Sequence, residues 1–253
     1  MKRFLLTALF AALAAPSLAA SVADGRAHLV AGNYDAAVQT GRYVDSVEGT
    51  LLAAEAMGAQ IMLNRVDAKD TAKDALDLLD DVLDDDPDNT EALFLRALHQ
   101  GFRTRSSGKF AIVMGGLIAK TEDQIEAFAD AAPGDPRADA LRGAWHLGIV
   151  RAAGDGKFGA SLDEGLARYD AAVEALPDDI VVMSNYAFSL VVMDEEGLRP
   201  RAKALLDQIA DTPARDAVSR ETKARMMSLR EVWADEAEVR ERARALLNTE
   251  EVE

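Results

Sequence analysis

The sequence predicts an all-α protein. Apolar residues recur at helical spacing along most of the chain, between short turns rich in proline, glycine and aspartate. Aromatic residues make up only 6% of the chain, whereas alanine and leucine are abundant, and this composition favours close-packed helices over sheets. We therefore expect about a dozen helices joined by short connections.

The breakers place these helices in order. The first pair begins near Ala23 and crosses at Gly32, which can take the positive φ that a tight turn needs. Pro133 and Pro136 flank Gly134 and stop a long helix, because proline cannot continue a helix and glycine caps one. Ser161, with Glu164 three residues later, predicts a capped helix start. The helices predicted after the first span residues 36–44, 50–64, 69–84, 90–102, 110–131, 137–151, 161–176, 180–193, 201–209, 215–233 and 236–247.

Three of these helices end in a related pattern before a proline turn. Counting back 5, 8 and 12 residues from each proline gives Ala172, Tyr169 and Gly165 before Pro177, Val82, Leu79 and Ala75 before Pro87, and Phe128, Ile125 and Thr121 before Pro133. The pattern resembles the second helix of a tetratricopeptide repeat. The resemblance implies antiparallel helix pairs stacked as a TPR-like α-solenoid over residues 21–247.

A closer resemblance covers residues 31–209 and is specific in residues 137–206. That part contains the segments LDEGLARYDAAVEALPDD and NYAFSLVVM. It is similar to exported tetratricopeptide-type proteins of alphaproteobacteria, a family without an assigned activity. The proline spacings exceed a standard repeat, and the surplus falls in residues 103–108 and 152–160. We expect these insertions either to carry binding elements or simply to be tolerated loops.

The N-terminus predicts a secretory signal peptide over residues 1–20. Lys2 and Arg3 precede an apolar run that Pro16 ends, and small residues follow at the expected cleavage site. An uncleaved anchor is the alternative, although the apolar run is short for a membrane span. The chain has no cysteine. We therefore expect an exported protein in a Gram-negative periplasm, with residues 248–253 as an acidic tail.

The charge balance argues against several partners. The net charge is −16, and an acidic surface repels nucleic acid and anionic membranes. Residues 180–193 are strongly apolar, but they are too few to span a bilayer and predict a buried helix.

Motifs for catalysis or metal binding are absent from the sequence. The three histidines, His28, His99 and His146, have no paired spacing, and no cysteine is available as a nucleophile or metal ligand. Ser106 and Lys109 fit a short S-x-x-K pattern without its companion motifs. The aspartate-rich segment 80–88 lacks the glycine of a calcium loop. We expect no enzyme activity, no metal and no cofactor, with hydrolysis through Ser106 or His146 as a minor alternative.

The predicted binding groove is assembled from polar and aromatic interruptions of apolar helices. Buried amides need partners, so Asn185 is expected to be paired or to face a groove. In tetratricopeptide arrays an asparagine of the first helix often bonds a bound peptide, and the resemblance implies this role for Asn185 alone, because Leu95 and Leu141 occupy the matching positions. Trp145 and His146 either border the groove or belong to the packing. The predicted groove residues are Phe94, Arg103, Arg105, Trp145, His146, Arg151, Asn185, Tyr186 and Phe188.

Two functions fit these features. The first is a non-catalytic scaffold or adaptor that binds a protein segment in its concave groove, where local arginines on an acidic chain select an acidic ligand. The alternative is a small-ligand accessory component of a solute transport system, with the helix at 110–131 and Gly115-Gly116 lining a pocket. The sequence leaves the oligomeric state open.

Overall fold

The computed structural model describes residues 20–108, 116–193 and 195–247, and this part of the chain is helical without any strand. Short 3-10 turns at Lys157–Gly159 and Glu196–Leu198 interrupt the connections. The twelve α-helices of the described residues are α1 Val22–Ala31, α2 Tyr34–Tyr43, α3 Val47–Met62, α4 Ala68–Asp85, α5 Thr90–Arg105, α6 Leu117–Ala131, α7 Pro136–Ala153, α8 Leu162–Ala175, α9 Ile180–Met193, α10 Arg199–Asp211, α11 Ala217–Glu231 and α12 Glu236–Leu247.

The predicted all-α class is confirmed, and α9 and α12 have the predicted bounds. The long helix predicted at 110–131 is confirmed from Leu117 onward, whereas residues 110–115 lie outside the described part of the chain. Gly116 precedes α6 with a left-handed φ of 62°. The predicted signal peptide, apart from Ala20, and the predicted tail at 248–253 also lie outside the described residues.

Side-chain caps define many of the helix starts. The hydroxyl of Ser46 accepts a hydrogen bond from the amide of Gly49, and Asp67 and Asn89 cap α4 and α5 in the same way. Ser161 accepts from the amide of Glu164, as the sequence predicts. Such caps satisfy amides that have no partner inside the helix and contribute about 1 kcal/mol each.

The helices pack in a regular order. Each helix contacts the next one along the chain, and each odd-numbered helix also contacts the next odd-numbered helix. We call α1, α3, α5, α7, α9 and α11 the odd row. Glycines permit close approach at specific crossings: a Cβ at Gly143 of α7 would lie 2.6 Å from the Tyr169 ring, and a Cβ at Gly165 of α8 would lie 2.6 Å from Leu147.

The last helix of the odd row, α11, packs against the first helix, α1. Ala217 of α11 belongs to the same apolar cluster as Leu29 of α1. Glu221 of α11 accepts hydrogen bonds from the Tyr34 hydroxyl at 3.2 Å and from Arg65 at 2.6 Å. These contacts join segments more than 150 residues apart and hold the two ends of the row together.

The guanidinium of Arg225 in α11 strengthens this closure. It donates to the carbonyl of Met62 at 2.9 Å and to the carbonyl of Leu63. These carbonyls belong to the end of α3, where the helix itself supplies no partner.

In the part of the chain that the structure describes, no helix is long and apolar enough to cross a bilayer.

Candidate functional site

Three neighbouring helices of the odd row each keep one face that packing covers only partly or leaves exposed. The residues on each face are separated by three or four positions, so they lie along one side of the helix. We call these the open faces. They comprise Phe94, Leu98, Gly101 and Arg105 on α5, Leu141, Ala144, Gly148 and Arg151 on α7, and Val181, Asn185, Phe188 and Val192 on α9.

Two open faces carry a glycine inside a helix. Around Gly101 and Gly148, none of the described atoms lies within 4 Å of the position that a Cβ would take. Neither residue has a positive φ. Packing and backbone conformation therefore do not require glycine at these positions, in contrast to Gly143, where the Tyr169 ring leaves no room. A glycine inside a helix costs about 0.5–1 kcal/mol relative to alanine.

The open faces of α5 and α7 both end in arginine. Arg105 and Arg151 lie in the last turns of their helices, and both side chains are exposed. Desolvation nevertheless lowers the pKa of both, and the nearby positive charge of Arg151 lowers the pKa of Arg105 further. The Arg105 guanidinium also lies 5.4 Å from the centre of the Phe102 ring.

Tyr169 of α8 is buried, and its hydroxyl interacts electrostatically with Arg105. Its side chain is 2% exposed, and burial raises the pKa of its hydroxyl, an effect that Ser189 and Arg105 partly offset. The Tyr169 ring stacks on Tyr186, with centroids 4.6 Å apart. The stacked rings join the middle of α8 to the middle of α9.

Two arginines of α7 and α8 have carboxylate partners. Arg142 donates to Glu126 at 2.8 Å, and Arg168 donates to Asp139 at 2.9 Å and to Glu164 at 2.7 Å. These hydrogen bonds raise the pKa of both arginines. Among the described residues, no carboxylate lies within ion-pair distance of Arg105 or Arg151.

Arg103 does not belong to the same surface as Arg105. Two positions along a helix correspond to about 200° of rotation, so the two side chains leave α5 on nearly opposite sides. Arg103 is half-buried and sits on the side of Arg96, which pairs with Asp80 at 2.9 Å. The structure therefore separates Arg103 from the other two predicted arginines.

The predicted α9 residues divide into surface and core. Asn185 is exposed in the middle of the open face, and Phe188 is half-buried on the same face. Tyr186 is 1% exposed and does not belong to the open face of α9, although it borders a separate recess between α8 and α10. Its hydroxyl donates to Asp170 and accepts from Arg201, each at 2.9 Å, so it joins α9 to α8 and α10.

Trp145 and His146 make packing contacts. The Trp145 indole donates to the Ile118 carbonyl at 3.3 Å, and His146 Nδ1 accepts from the Ser161 amide at 3.1 Å. The two rings meet edge to face, with centroids 4.9 Å apart. Burial lowers the pKa of His146, so the neutral ring that this hydrogen bond requires is favoured. This arrangement agrees with the packing alternative considered from the sequence.

Phe94 is also largely committed to packing. Its ring lies 5.4 Å from that of Phe128, and the Arg137 guanidinium covers it at 4.2 Å from the centroid. Arg137 is itself held by Glu91 at 2.8 Å and by Asp135. Phe94 therefore contributes an edge to the open face of α5 rather than an accessible ring.

The pocket predicted along residues 110–131 falls partly on residues outside the described ones. A separate open recess of about 370 Å³ lies elsewhere, where Asp170 and Glu174 of α8 face Arg201 and Gln208 of α10. No group of three or more histidine, aspartate or glutamate side chains suited to a metal ion occurs among the described residues.

The open-face residues that the sequence analysis did not place in the groove are Leu98, Gly101, Leu141, Ala144, Gly148, Val181 and Val192. A glycine inside a predicted helix is noticeable in the sequence because glycine destabilises helices. The sequence does not tell whether such a glycine packs closely against a neighbour or faces open space. With the fold and the site described, comparison of the chain with protein-family models, curated proteins and solved structures found no match.

Proposed function

We propose that this chain is a non-catalytic, TPR-like helical-repeat protein of the periplasm that holds a segment of another protein along the open faces of α5, α7 and α9. The observation that carries the proposal is the series of uncovered faces on three neighbouring helices, two of them with glycines that packing does not require. Glycine at such a position allows another backbone to approach the helix closely.

The repeat assignment has support in the burial pattern. The positions that lie 5, 8 and 12 residues before the three turn prolines are buried in all three helices, as the shared role of these positions requires. They are Ala75, Leu79 and Val82 in α4, Thr121, Ile125 and Phe128 in α6, and Gly165, Tyr169 and Ala172 in α8. The contacts within the odd row favour the same arrangement, with the first helix of each pair lining the concave side.

The contacts of α11 with the first three helices favour a preorganised groove. Glu221 and Arg225 fix the two ends of the odd row, so the spacing of the open faces is set before a partner arrives. Binding then requires less ordering, which preserves affinity. The export of the protein rests on the signal peptide predicted at residues 1–20.

In-cell crosslinking of the tagged protein, followed by mass spectrometry, tests the proposal. The blocking variant is Ala144→Arg/Asn185→Arg, since both positions are exposed on open faces. The matched control is Asp74→Arg on the exposed side of α4, which changes the net charge by the same amount as the blocking variant. We expect a discrete crosslinked protein that the blocking variant loses and the control retains.

The same experiment addresses the small-ligand alternative. If no protein crosslinks, or if the blocking variant retains the crosslink, the open faces do not hold a protein segment. Native mass spectrometry of the purified protein then separates the alternatives, because a retained small molecule supports the accessory role in solute transport.

A further inference from the structure

We infer that Arg105 and Arg151 form a carboxylate-binding subsite at one end of the open faces of α5 and α7. The inference rests on the proposed function and gives it a chemical specificity: the bound segment is acidic and places one carboxylate between the two guanidinium groups.

The geometry assigns the two arginines to one surface. Each ends the open face of its helix, and α5 and α7 are in contact. Arg105 follows Gly101 by four positions and Arg151 follows Gly148 by three, so each arginine lies on the same side of its helix as the glycine. Among the described residues, no atom lies within 4 Å of the position that a Cβ would take at either glycine, so the helix surface on this side is open there.

The positive charges of Arg105 and Arg151 favour the binding of one anion. The chain has 44 acidic and 28 basic side chains, so carboxylates outnumber the basic groups that they could pair with. Arg225 is also desolvated, but two backbone carbonyls receive its hydrogen bonds. Arg105 and Arg151 have no such acceptor among the described residues, and they repel each other. A bound carboxylate relieves both the repulsion and the desolvation.

The guanidinium groups suit a carboxylate. Each presents a planar set of N–H donors that matches two carboxylate oxygens. A net charge of −16 on the chain repels extended polyanions more strongly than it repels a single carboxylate or a short acidic segment. Cations in a last helical turn also interact favourably with the helix dipole, so the test has to separate binding from a purely structural role.

Thermal unfolding with succinate as the probe makes this separation. The melting temperature of the purified protein is measured with succinate and with succinamide at equal ionic strength. We expect succinate to raise it by roughly 2–4 °C, as for a ligand at several times its Kd in a chain of this size. The double variant Arg105→Gln/Arg151→Gln loses this rise, and the control Arg103→Gln on the opposite side of α5 retains it.

An equal effect of succinate on the double variant would overturn the inference, and so would the absence of a succinate effect together with equal binding of the two peptides described below. A purely structural role lowers the melting temperature of the double variant without changing the response to succinate. Crosslinking from the open faces is measured without succinate, so it tests the proposed function independently of the carboxylate subsite.

A second binding experiment, with peptides, identifies the source of the carboxylate. A fluorescein-labelled nonapeptide with three glutamates is compared with the same peptide carrying glutamines, by fluorescence anisotropy. At least tenfold tighter binding of the glutamate peptide, lost in the double variant, supports a peptide carboxylate. Binding of succinate without the peptide supports the subsite and assigns it to a free solute. Equal affinity of the two peptides, together with no succinate effect, overturns it.

Discussion

Replacing Gly101 and Gly148 by alanine should stabilise the protein while impairing its interaction with the partner. Each position is inside a helix and has no positive φ, and no atom of the described residues lies within 4 Å of the place that the Cβ would take. Alanine is about 0.5–1 kcal/mol more favourable than glycine in a helix interior. The double variant should therefore gain about 1–2 kcal/mol, and each kcal/mol raises the melting temperature of a chain of this size by roughly 2–4 °C.

Thermal and urea unfolding followed by circular dichroism measure this gain. Gly143→Ala is the matched control, because its Cβ would lie 2.6 Å from the Tyr169 ring. Overpacking of this kind typically costs about 1–3 kcal/mol, so the control should be less stable than the unaltered protein. A loss of stability in Gly101→Ala/Gly148→Ala, comparable to that of the control, would refute the claim that these two glycines face open space.

Three further substitutions test single contacts. Arg225→Ala should destabilise the protein by about 1–3 kcal/mol in urea unfolding, because it leaves two carbonyls at the end of α3 without their charged donor; an unchanged midpoint would argue against the closure. Burial lowers the pKa of His99 to about 4, whereas the pKa of an unperturbed histidine is 6.5. Between these two pH values the unfolded chain therefore binds one more proton than the folded chain. Stability should therefore fall by roughly 2–4 kcal/mol as the pH falls from 6.5 to 4. His99→Gln, which can still donate to Ala54, should flatten that part of the profile, and an identical slope would contradict the assignment. Tyr186→Phe should cost about 1 kcal/mol through the lost bond to Asp170 but leave the crosslinks unchanged, and a lost crosslink would instead place Tyr186 in the groove.

The helices could be predicted well because their signals are local. Apolar spacing and proline turns determine α9 and α12 to the residue, and N-terminal caps such as Ser161 mark where helices begin. The return of α11 to α1 could not be predicted, because Glu221 and Tyr34 are 187 residues apart and no local pattern indicates that they pair.

The candidate site was only partly predictable. Helix geometry alone separates Arg103 from Arg105, since two positions turn the side chain to nearly the opposite side. Tyr186 interrupts an apolar helix in the same way as its neighbour Asn185, but its partners come from two other helices and bury it. Gly143 and Gly148 look alike in the sequence, and the aromatic neighbour of one and the free space beside the other come only from packing.

Site-specific photocrosslinking tests the central claim most directly. A photoreactive phenylalanine analogue is placed at Ala144 or Asn185 on the open faces, and at Asp74 on the exposed side of α4 as the control. The account predicts that the same protein is captured from positions 144 and 185, that it is not captured from position 74, and that Arg105→Gln/Arg151→Gln weakens its capture. Capture from position 74 alone, or equal capture from all three positions, would contradict the assignment of the open faces as the binding surface.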